Sequence, residues 1–474
     1  MRRSNITFGT SGWRGIISDD FTFDNVRLVS QAIADYIKEE PQERECSVVV
    51  GYDPRFLSEK FAAASSEVLA ANGIKVHYSE IDAPTPGISH YIIENSLSGG
   101  VNITASHNPP EYSGIKFSPA WGGPALPDTT KKIEENCRRL EHNPEGIKRA
   151  FFDDAVENGM IQVVDLAVPY IKKIKELIDT KLIGKSLSCV YDAMYGAGRS
   201  YLSKIIENNS MRILNGQRDV LFGGHRPEPA EEYLEDMRNI LLGGGYDIGL
   251  STDGDADRFG IMDSNGVFIT PNQVMGLALY HLYRKGYRGV AARSVMTSAF
   301  MDAVAAELGV EVVETPVGFK YIGDIFVKKD MIVGGEESGG LTIGGHIPEK
   351  DGILACLLMA ELRATEGKPL SEILDELYKK VGSFITLRKN YRLTGGLMNK
   401  IKEKLDKSLP EAFGAFAVKS VNRIDGYKFI MEEKDTWLGV RFSGTEPVIR
   451  IYLESTTPEN NEALLRSAEE YFGI

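Results

Sequence analysis

Asp253, Asp255 and Asp257 recur at every second position of a loop punctuated by Gly254 and Ala256. Hard carboxylate oxygens at this spacing suit Mg²⁺. An EF-hand loop is excluded, because Arg258 stands where that loop needs glycine and Ser264 where it needs glutamate. The remaining rival is a solvated acidic turn, since Asp-Gly is common in surface turns. Three aspartates exceed the charge of one Mg²⁺, and a phosphate beside them would add about −1.5 to −2. Cations must therefore lie close, and Arg258 is adjacent. Ser106 sits in Thr104-Ala105-Ser106-His107-Asn108-Pro109, after a strand-like run at 100–103 and before prolines that stop regular structure. A serine held there is well placed to be a nucleophile, although Ser-His alone also reads as a polar loop. The stretch 113–118 returns soon afterwards and brings Lys116 back toward Ser106. Arg441, Ser443, Gly444, Thr445 and Arg450 form an anion-cradle candidate of two guanidiniums, hydroxyls and glycine-loop N–H groups; the alternative is an edge-strand turn with incidental arginines. Glu336 and Ser338, in a glycine-rich loop, can hydrogen-bond sugar hydroxyls or form a plain acidic turn.

The elements that must position these residues alternate between strand and helix. Val26, Val29, Ile33 and Ile37 recur at helical spacing. A buried strand is expected at 48–50, a helix capped by Ser58 and ended by Asn72-Gly73, a strand at 74–78 and a helix opening at 84–86. The pattern restarts with a strand at 187–192, a helix at 231–242 and a strand at 247–250 running into the aspartates. It restarts again with strands at 289–293 and 310–313, then a strand from 332 into the Glu336 loop, and helices at 353–362 and 370–379. This is a weak internal repeat in which architecture recurs and residues do not. From Ser383 the texture changes to alternating strands at 384–391, 437–442 and 448–453 with helices near 397–405 and 462–471, a small α+β domain.

A chain of 474 residues with 42% apolar residues can build several cores. Lys+Arg 54 against Asp+Glu 67 gives a net charge of −13, which opposes non-specific nucleic-acid binding and leaves no polybasic membrane patch. Cys46, Cys137, Cys189 and Cys356 are isolated and read as reduced cytosolic thiols. The first residues lead into no apolar stretch, so no secretory signal is expected, and the apolar run 353–360 is too short to span a bilayer. A cytoplasmic protein with no nucleic-acid or membrane partner follows as the expectation.

A serine nucleophile, a metal loop, a hydroxyl-reading loop and a phosphate cradle together describe phosphoryl transfer on a sugar phosphate. Over essentially its whole length the chain resembles the α-D-phosphohexomutase family, the phosphoglucomutases and phosphomannomutases: 104–109 resembles the phosphoserine loop, 253–258 the metal loop, 335–340 the sugar-binding loop and 441–447 the phosphate-binding loop. The resemblance implies three similar α/β domains with mixed sheets flanked by helices, plus a smaller C-terminal α+β domain, around a central cleft. The expected boundaries are 1–152 for the phosphoserine domain, 153–255 for the domain ending in the metal loop, 256–369 for the sugar-recognition domain and 370–474 for the phosphate-binding domain. Ser106 would carry the phosphoryl group and, with Asp253, Asp255 and Asp257, bind one Mg²⁺ per site. Lys116 would be the general acid/base, with Arg14 and His107 lining the site. Glu336 and Ser338 would bind sugar hydroxyls, and Arg441, Ser443 and Thr445 the non-reacting phosphate. The implied reaction interconverts hexose 1-phosphate and hexose 6-phosphate, with glucose 1,6-bisphosphate as intermediate and activator. A phosphatase and a non-catalytic sugar-phosphate-binding relative are the alternatives.

The loop Gly335-Glu336-Glu337-Ser338-Gly339-Gly340 departs from both the G-E-M-S-G-H form of dual mannose/glucose enzymes and the G-E-Q-S-G-H form of glucosamine mutases. The stretches 293–298, 315–320 and 346–352 resemble glucose-specific phosphoglucomutases. Glucose is therefore the expected sugar, with phosphomannomutase or dual activity as the alternative. Lys320 and Arg293 become candidate extra cations for the metal site, and His346 is expected near the substrate. The chain is expected to be a monomer or homodimer.

Overall fold

The computed structural model describes residues 6–9, 12–40, 45–206, 210–443 and 447–474. Contacts divide the chain into two compact units. One comprises residues up to Pro271 with Phe319–Asp330 and Ser338–Ser371; the other comprises Asn272–Gly318, Met331–Glu337 and Glu372–Ile474.

In the first unit a six-stranded sheet runs in the order Trp13–Ile16, Tyr112–Pro119, Gly99–Ile103, Ser47–Tyr52, Lys75–Ser79, Ile161–Val164. Val48, Val49 and Val50 are fully buried, as a strand covered on both faces requires. The strands from Gly99 outward through Ser47 and Lys75 to Ile161 are parallel, whereas Tyr112–Pro119 runs antiparallel to Gly99–Ile103. The helix Phe23–Glu39 is capped by Thr22, whose side chain accepts from Asn25 N. Ser58 is not the cap of its helix. The cap is Leu57, in a left-handed conformation, and Ser58 instead turns inward to donate to Asp53 at 3.1 Å.

A second sheet in this unit orders Phe268–Ile269, Phe259–Asp263, Ile248–Thr252, Cys189–Asp192 and Met211–Leu214. Again an inner parallel pair meets an antiparallel one: Ile248–Thr252 pairs with Cys189–Asp192 in parallel and with Phe259–Asp263 antiparallel. The serine loop and the aspartate loop thus occupy the same kind of place, a tight return from a buried strand to its antiparallel neighbour. The helix expected over 231–242 is broken. A 3₁₀ turn, Glu231–Tyr233, precedes the helix Glu235–Leu242, because Leu234 leaves helical geometry (φ −109°, ψ 24°) while its side chain is fully buried. The helix Gly352–Glu366 is buried along nearly its whole length. Among the described residues no helix is long and apolar enough to cross a membrane.

The second unit holds parallel strands in the order Val312–Thr315, Val290–Ser294, Met331–Glu336. It also holds an antiparallel sheet in the order Ile385–Arg392, Val448–Ser455, Trp437–Phe442, Tyr427–Met431, Phe416–Asn422, Ala412–Phe413. One face of that sheet builds an apolar core from Phe429, Leu438, Val440, Ile449, Ile451 and Leu453 with Ile401, Leu405 and Leu464 of the helices Gly395–Lys407 and Pro458–Phe472. Three similar α/β portions with mixed sheets and helices, followed by a smaller α+β portion, match the expected fold class.

Candidate active site

Ser106 is 2% exposed and adopts φ +52°, in the left-handed region that a non-glycine residue enters at a cost of about 1–3 kcal/mol. Its Oγ donates to Asp253 Oδ2 at 2.7 Å and lies 3.3 Å from His107 Nδ1. The aspartate loop packs directly on the serine loop: a Cβ at Gly254 would stand 2.5 Å from the Ser106 carbonyl oxygen, so only glycine fits between them. Gly352 serves the other side of the same loop, since a Cβ there would lie 2.1 Å from the Arg258 carbonyl oxygen.

Asp253, Asp255 and Asp257 are buried, and one carboxylate oxygen from each lies within 4.8 Å of the others. Asp253 Oδ1 closes the loop by accepting from the N–H groups of Asp257 at 2.9 Å and Arg258 at 3.0 Å, leaving Oδ2 toward Ser106. Asp255 Oδ2 accepts from the Thr85 hydroxyl and from Lys116 Nζ, the latter at 2.5 Å; Asp257 Oδ2 accepts from Lys116 Nζ at 2.8 Å and is 3.2 Å from Lys350 Nζ. Asp255 Oδ1 and Asp257 Oδ1 are buried and have no hydrogen-bond partner. Uncompensated carboxylate oxygens inside a protein are costly, and here they belong to an all-oxygen donor set of the kind a hard divalent cation takes. The residues therefore fit Mg²⁺.

The electrostatics divide the trio. Burial together with the charges of Asp255 and Asp257 pushes the Asp253 carboxyl well above the usual range. Burial acts the same way on Asp257, but Lys116, Lys350 and Arg258 outweigh it and hold that carboxyl far below. Lys116 is likewise raised, its burial overcome by Asp255 and Asp257. Cations act on the same groups. Burial and Arg258 bring Arg14 down to about 10, with Asp255 and Asp257 countering. Burial, Arg258 and Arg14 lower His107 well below the ordinary histidine value, so the imidazole is neutral at pH 7. Arg14 Nη1 donates to Asn108 Oδ1 at 2.5 Å, and Arg258 Nε has no partner. A serine hydroxyl is thus set against a carboxylate trio on which cations also act, which is what metal-assisted phosphoryl chemistry at that oxygen needs.

Ser106, His107, Lys116, Arg14, Arg258 and the three aspartates come together in the first unit. The extra cation at the aspartates is Lys350, which sequence reasoning passed over inside the stretch 346–352 although its neighbours are Glu349 and Asp351. Thr85 was also missed; its place between two prolines at a helix start marks an anchored position. Arg293 is committed elsewhere, to Asp302 at 2.5 Å and Glu314 at 2.7 Å. Lys320 is half-buried, its ammonium 5.5 Å from the Tyr321 ring centre. His346 is enclosed: Nε2 is 2.7 Å from Asp351 Oδ2, and the Tyr170 hydroxyl donates to the same carboxylate at 2.8 Å. Ser338 precedes Gly339, whose carbonyl accepts from Phe259 N at 3.2 Å.

In the second unit Glu336 ends a buried strand, and its Oε1 accepts from Gly318 N at 2.6 Å. Glu337 accepts from Ser294 Oγ at 2.8 Å. Arg441 and Arg450 lie directly opposite on neighbouring strands, an arrangement that repels unless an anion joins it. Arg441 Nη2 donates to Asp425 at 3.0 Å, while its buried Nε has no partner. Ser443 N donates to Val448 O at 2.9 Å. Gly444 and Thr445 lie outside the described residues.

A fold of α/β portions followed in the chain by an α+β portion, with a serine set against a carboxylate trio, defines a class of phosphoryl-handling enzymes. Comparison with known proteins names it. Residues 5–144, 168–266 and 270–381 match domains I, II and III described as phosphoglucomutase/phosphomannomutase alpha/beta/alpha domains, and 397–470 match the C-terminal domain of the same family. A phosphoglucomutase/phosphomannomutase of Thermococcus kodakarensis is 32% identical over 95% of this chain and 95% of its own. A probable phosphoglucosamine mutase of Pyrococcus horikoshii is 33% identical over 98% of this chain and 96% of its own. The crystal structure of a putative phosphomannomutase from Thermus thermophilus superposes with a TM-score of 0.84 at 34% identity, covering 99% of each chain. The chain belongs to the phosphoglucomutase/phosphomannomutase family, and it is a phosphohexomutase, an isomerase acting on sugar phosphates.

Proposed function

We propose that the chain interconverts glucose 1-phosphate and glucose 6-phosphate through a phosphoserine at Ser106 and glucose 1,6-bisphosphate. One observation carries the reading: Ser106 Oγ is held in strained backbone 2.7 Å from one of three buried aspartates, two of which keep an unpartnered oxygen. Asp253, Asp255 and Asp257 would hold Mg²⁺, which when bound supplies charge neutralisation for the phosphoryl group. Arg14 and Arg258 supply fixed positive charge beside Ser106. Each transfer moves one phosphoryl group between Ser106 Oγ and a sugar oxygen, and one proton the other way. Lys116, held as an ammonium by Asp255 and Asp257, gives its proton to Oγ as the phosphoryl group leaves and takes one from the sugar hydroxyl. Turning the bisphosphate over and returning its other phosphate restores the enzyme. Glu336 and Ser338 read sugar hydroxyls; Arg441, Arg450, Ser443, Gly444 and Thr445 hold the non-reacting phosphate. This reading keeps the four functional divisions 1–152, 153–255, 256–369 and 370–474.

The preference for glucose rests on the stretches at 293–298, 315–320 and 346–352; the relatives carry names for more than one sugar. Glucose and mannose differ only at the C2 hydroxyl. A bisphosphate accepted in two orientations leaves no tight pocket for C2 in both, so discrimination should be about 10–200-fold. The test is the ratio of kcat/KM for glucose 1-phosphate, mannose 1-phosphate and glucosamine 1-phosphate in the presence of glucose 1,6-bisphosphate. Glucose should lead; a ratio favouring either other sugar refutes the preference.

A further inference from the structure

Arg55 is completely buried and no part of the chemistry above uses it. Its guanidinium is saturated: Nε donates to Asp53 Oδ2 at 2.9 Å, Nη1 to the carbonyls of Pro109 and Tyr112 at 2.8 and 3.0 Å, and Nη2 to the carbonyls of Ser106 and Asn108 at 2.6 and 2.8 Å. Those bonds account for all the N–H donors a guanidinium has. Four of its five acceptors are backbone oxygens of the serine loop and of Tyr112 at the start of the next strand, and one of them is the carbonyl of Ser106 itself. The other member of the ion pair reaches the same residue from the opposite side. Asp53 Oδ2 accepts from Thr104 Oγ1 at 2.7 Å, and Thr104 Oγ1 accepts from Ser106 N at 2.8 Å. Asp53 and Thr104 are 0% and 1% exposed.

The two peptide groups flanking the Ser106 Cα are therefore both fixed by one buried ion pair. The N–H is fixed through Thr104 and Asp53, the carbonyl directly through Arg55. These two peptide planes set φ and ψ of Ser106, and φ is +52°. A non-glycine residue stays in that region only where its surroundings over-determine it. The loop's own sequence would otherwise let Ser106 relax to an ordinary conformation, carrying Oγ away from Asp253.

The geometry points to Arg55, acting with Asp53 and Thr104, as the positioning residue that imposes the left-handed backbone of Ser106 and so aims the phosphoryl carrier at the aspartate trio. The inference rests on the reading of Ser106 as that carrier. A misplacement of the reacting oxygen by about 1 Å costs on the order of 100-fold in rate. Thr104→Val keeps the side-chain shape and removes the hydroxyl. It should slow single-turnover phosphorylation of Ser106 by glucose 1,6-bisphosphate about 100-fold, leave KM for glucose 1-phosphate unchanged, and shift the ³¹P resonance of the phosphoserine. Thr104→Ser should restore rate and resonance. Arg55→Lys retains the charge beside Asp53 but cannot reach the same set of carbonyls. It guards against a Thr104 variant that fails to fold, and should show the same slow phosphorylation in protein that still unfolds cooperatively. Wild-type phosphorylation rates in both Thr104→Val and Arg55→Lys overturn the bracket alone. So does a loss of rate and substrate binding together that Thr104→Ser does not rescue. A wild-type enzyme that takes no phosphate on Ser106 overturns the carrier reading and the bracket with it.

Discussion

Lys116 and Lys428 are both buried, 8% and 5% exposed, yet their surroundings act on them in opposite senses. Burial disfavours the charge on each. At Lys116 the contacts to Asp255 and Asp257 overcome that penalty and raise its pKa. Lys428, on the C-terminal sheet, has the Val295 carbonyl at 2.7 Å and the Trp437 ring at 4.0 Å, and burial reinforced by Arg293 brings it down to about 8. The same contrast holds more widely. At the aspartate trio both lysines, Lys116 and Lys350, meet carboxylates in near contact, and all of these groups are buried. On the C-terminal sheet Arg441 and Arg450 are partly buried and stand opposite each other, and Arg441 has Asp425 as its acidic neighbour. The first arrangement is preorganised, so it need not rearrange when charge moves. The second leaves positive charge incompletely matched, as suits a group that binds and releases an anion. Substitution should therefore break the first region through kcat and the second through KM.

The largest effect is expected at the carrier. Ser106→Ala should lower turnover on the order of 10⁴-fold or more, as loss of a covalent nucleophile does. Intact-protein mass after incubation with glucose 1,6-bisphosphate should show a phosphate on the wild type and none on the variant. Full activity in Ser106→Ala would falsify the phosphoserine route.

Next comes the trio. Asp255→Asn keeps the shape but replaces a charged oxygen by a neutral amide facing Lys116. Turnover should fall about 100-fold with little change in KM. Chelation should inactivate the wild type, Mg²⁺ should restore it, and Mg²⁺ titrated calorimetrically should bind the variant more weakly. Unchanged activity in excess chelator would remove the metal from this loop.

Arg441→Ala probes the other region. A hydrogen bond to a charged group is worth about 1.5–3 kcal/mol, so kcat/KM should drop roughly 10–150-fold, mainly through KM. Ser106 should still accept phosphate from the bisphosphate at saturation. Forward and reverse directions should suffer alike, because under the proposed function one cradle would serve both orientations of the substrate. A variant with intact KM and a reduced kcat would erase the distinction between the two regions.

The sequence showed the repeated α/β architecture and the aspartate loop because both are local: a strand's burial and a two-residue spacing are written in adjacent letters. It showed less wherever an isolated residue acts at a distance. Lys350 reaches Asp257 across the fold, and nothing in Glu349-Lys350-Asp351 says which acid it meets. Arg293 looked like a cation for the metal loop until its partners Asp302 and Glu314 appeared, one of them on a helix that follows it. The strand Tyr427–Met431 escaped notice because Lys428 occupies a buried position in it, so its hydrophobic pattern is interrupted. The broken helix at Leu234 has the same cause in reverse, an apolar residue whose burial outweighs helical continuity.

Lys428 gives the smallest effect and the sharpest sign. Its folded pKa of about 8 lies below the ordinary lysine value of 10.5, so between those limits the unfolded chain binds more protons than the folded one. Stability then rises with pH through that window, and the whole penalty of the buried charge is felt below pH 8. A shift of this size corresponds to about 3–4 kcal/mol at most, at about 1.36 kcal/mol for each pKa unit. Lys428→Met removes the titration and keeps most of the side-chain volume against Trp437. Denaturant unfolding of wild type and variant at about pH 7.5 and about pH 10 should show the wild type gaining on the variant as pH rises. Lys116 should do the reverse if it is probed by Lys116→Met: its raised folded pKa contributes stability that is complete below the unfolded value and is lost as pH climbs through the folded one. If the two lysines shift stability in the same direction, the contrast between a matched and an unmatched cation is wrong.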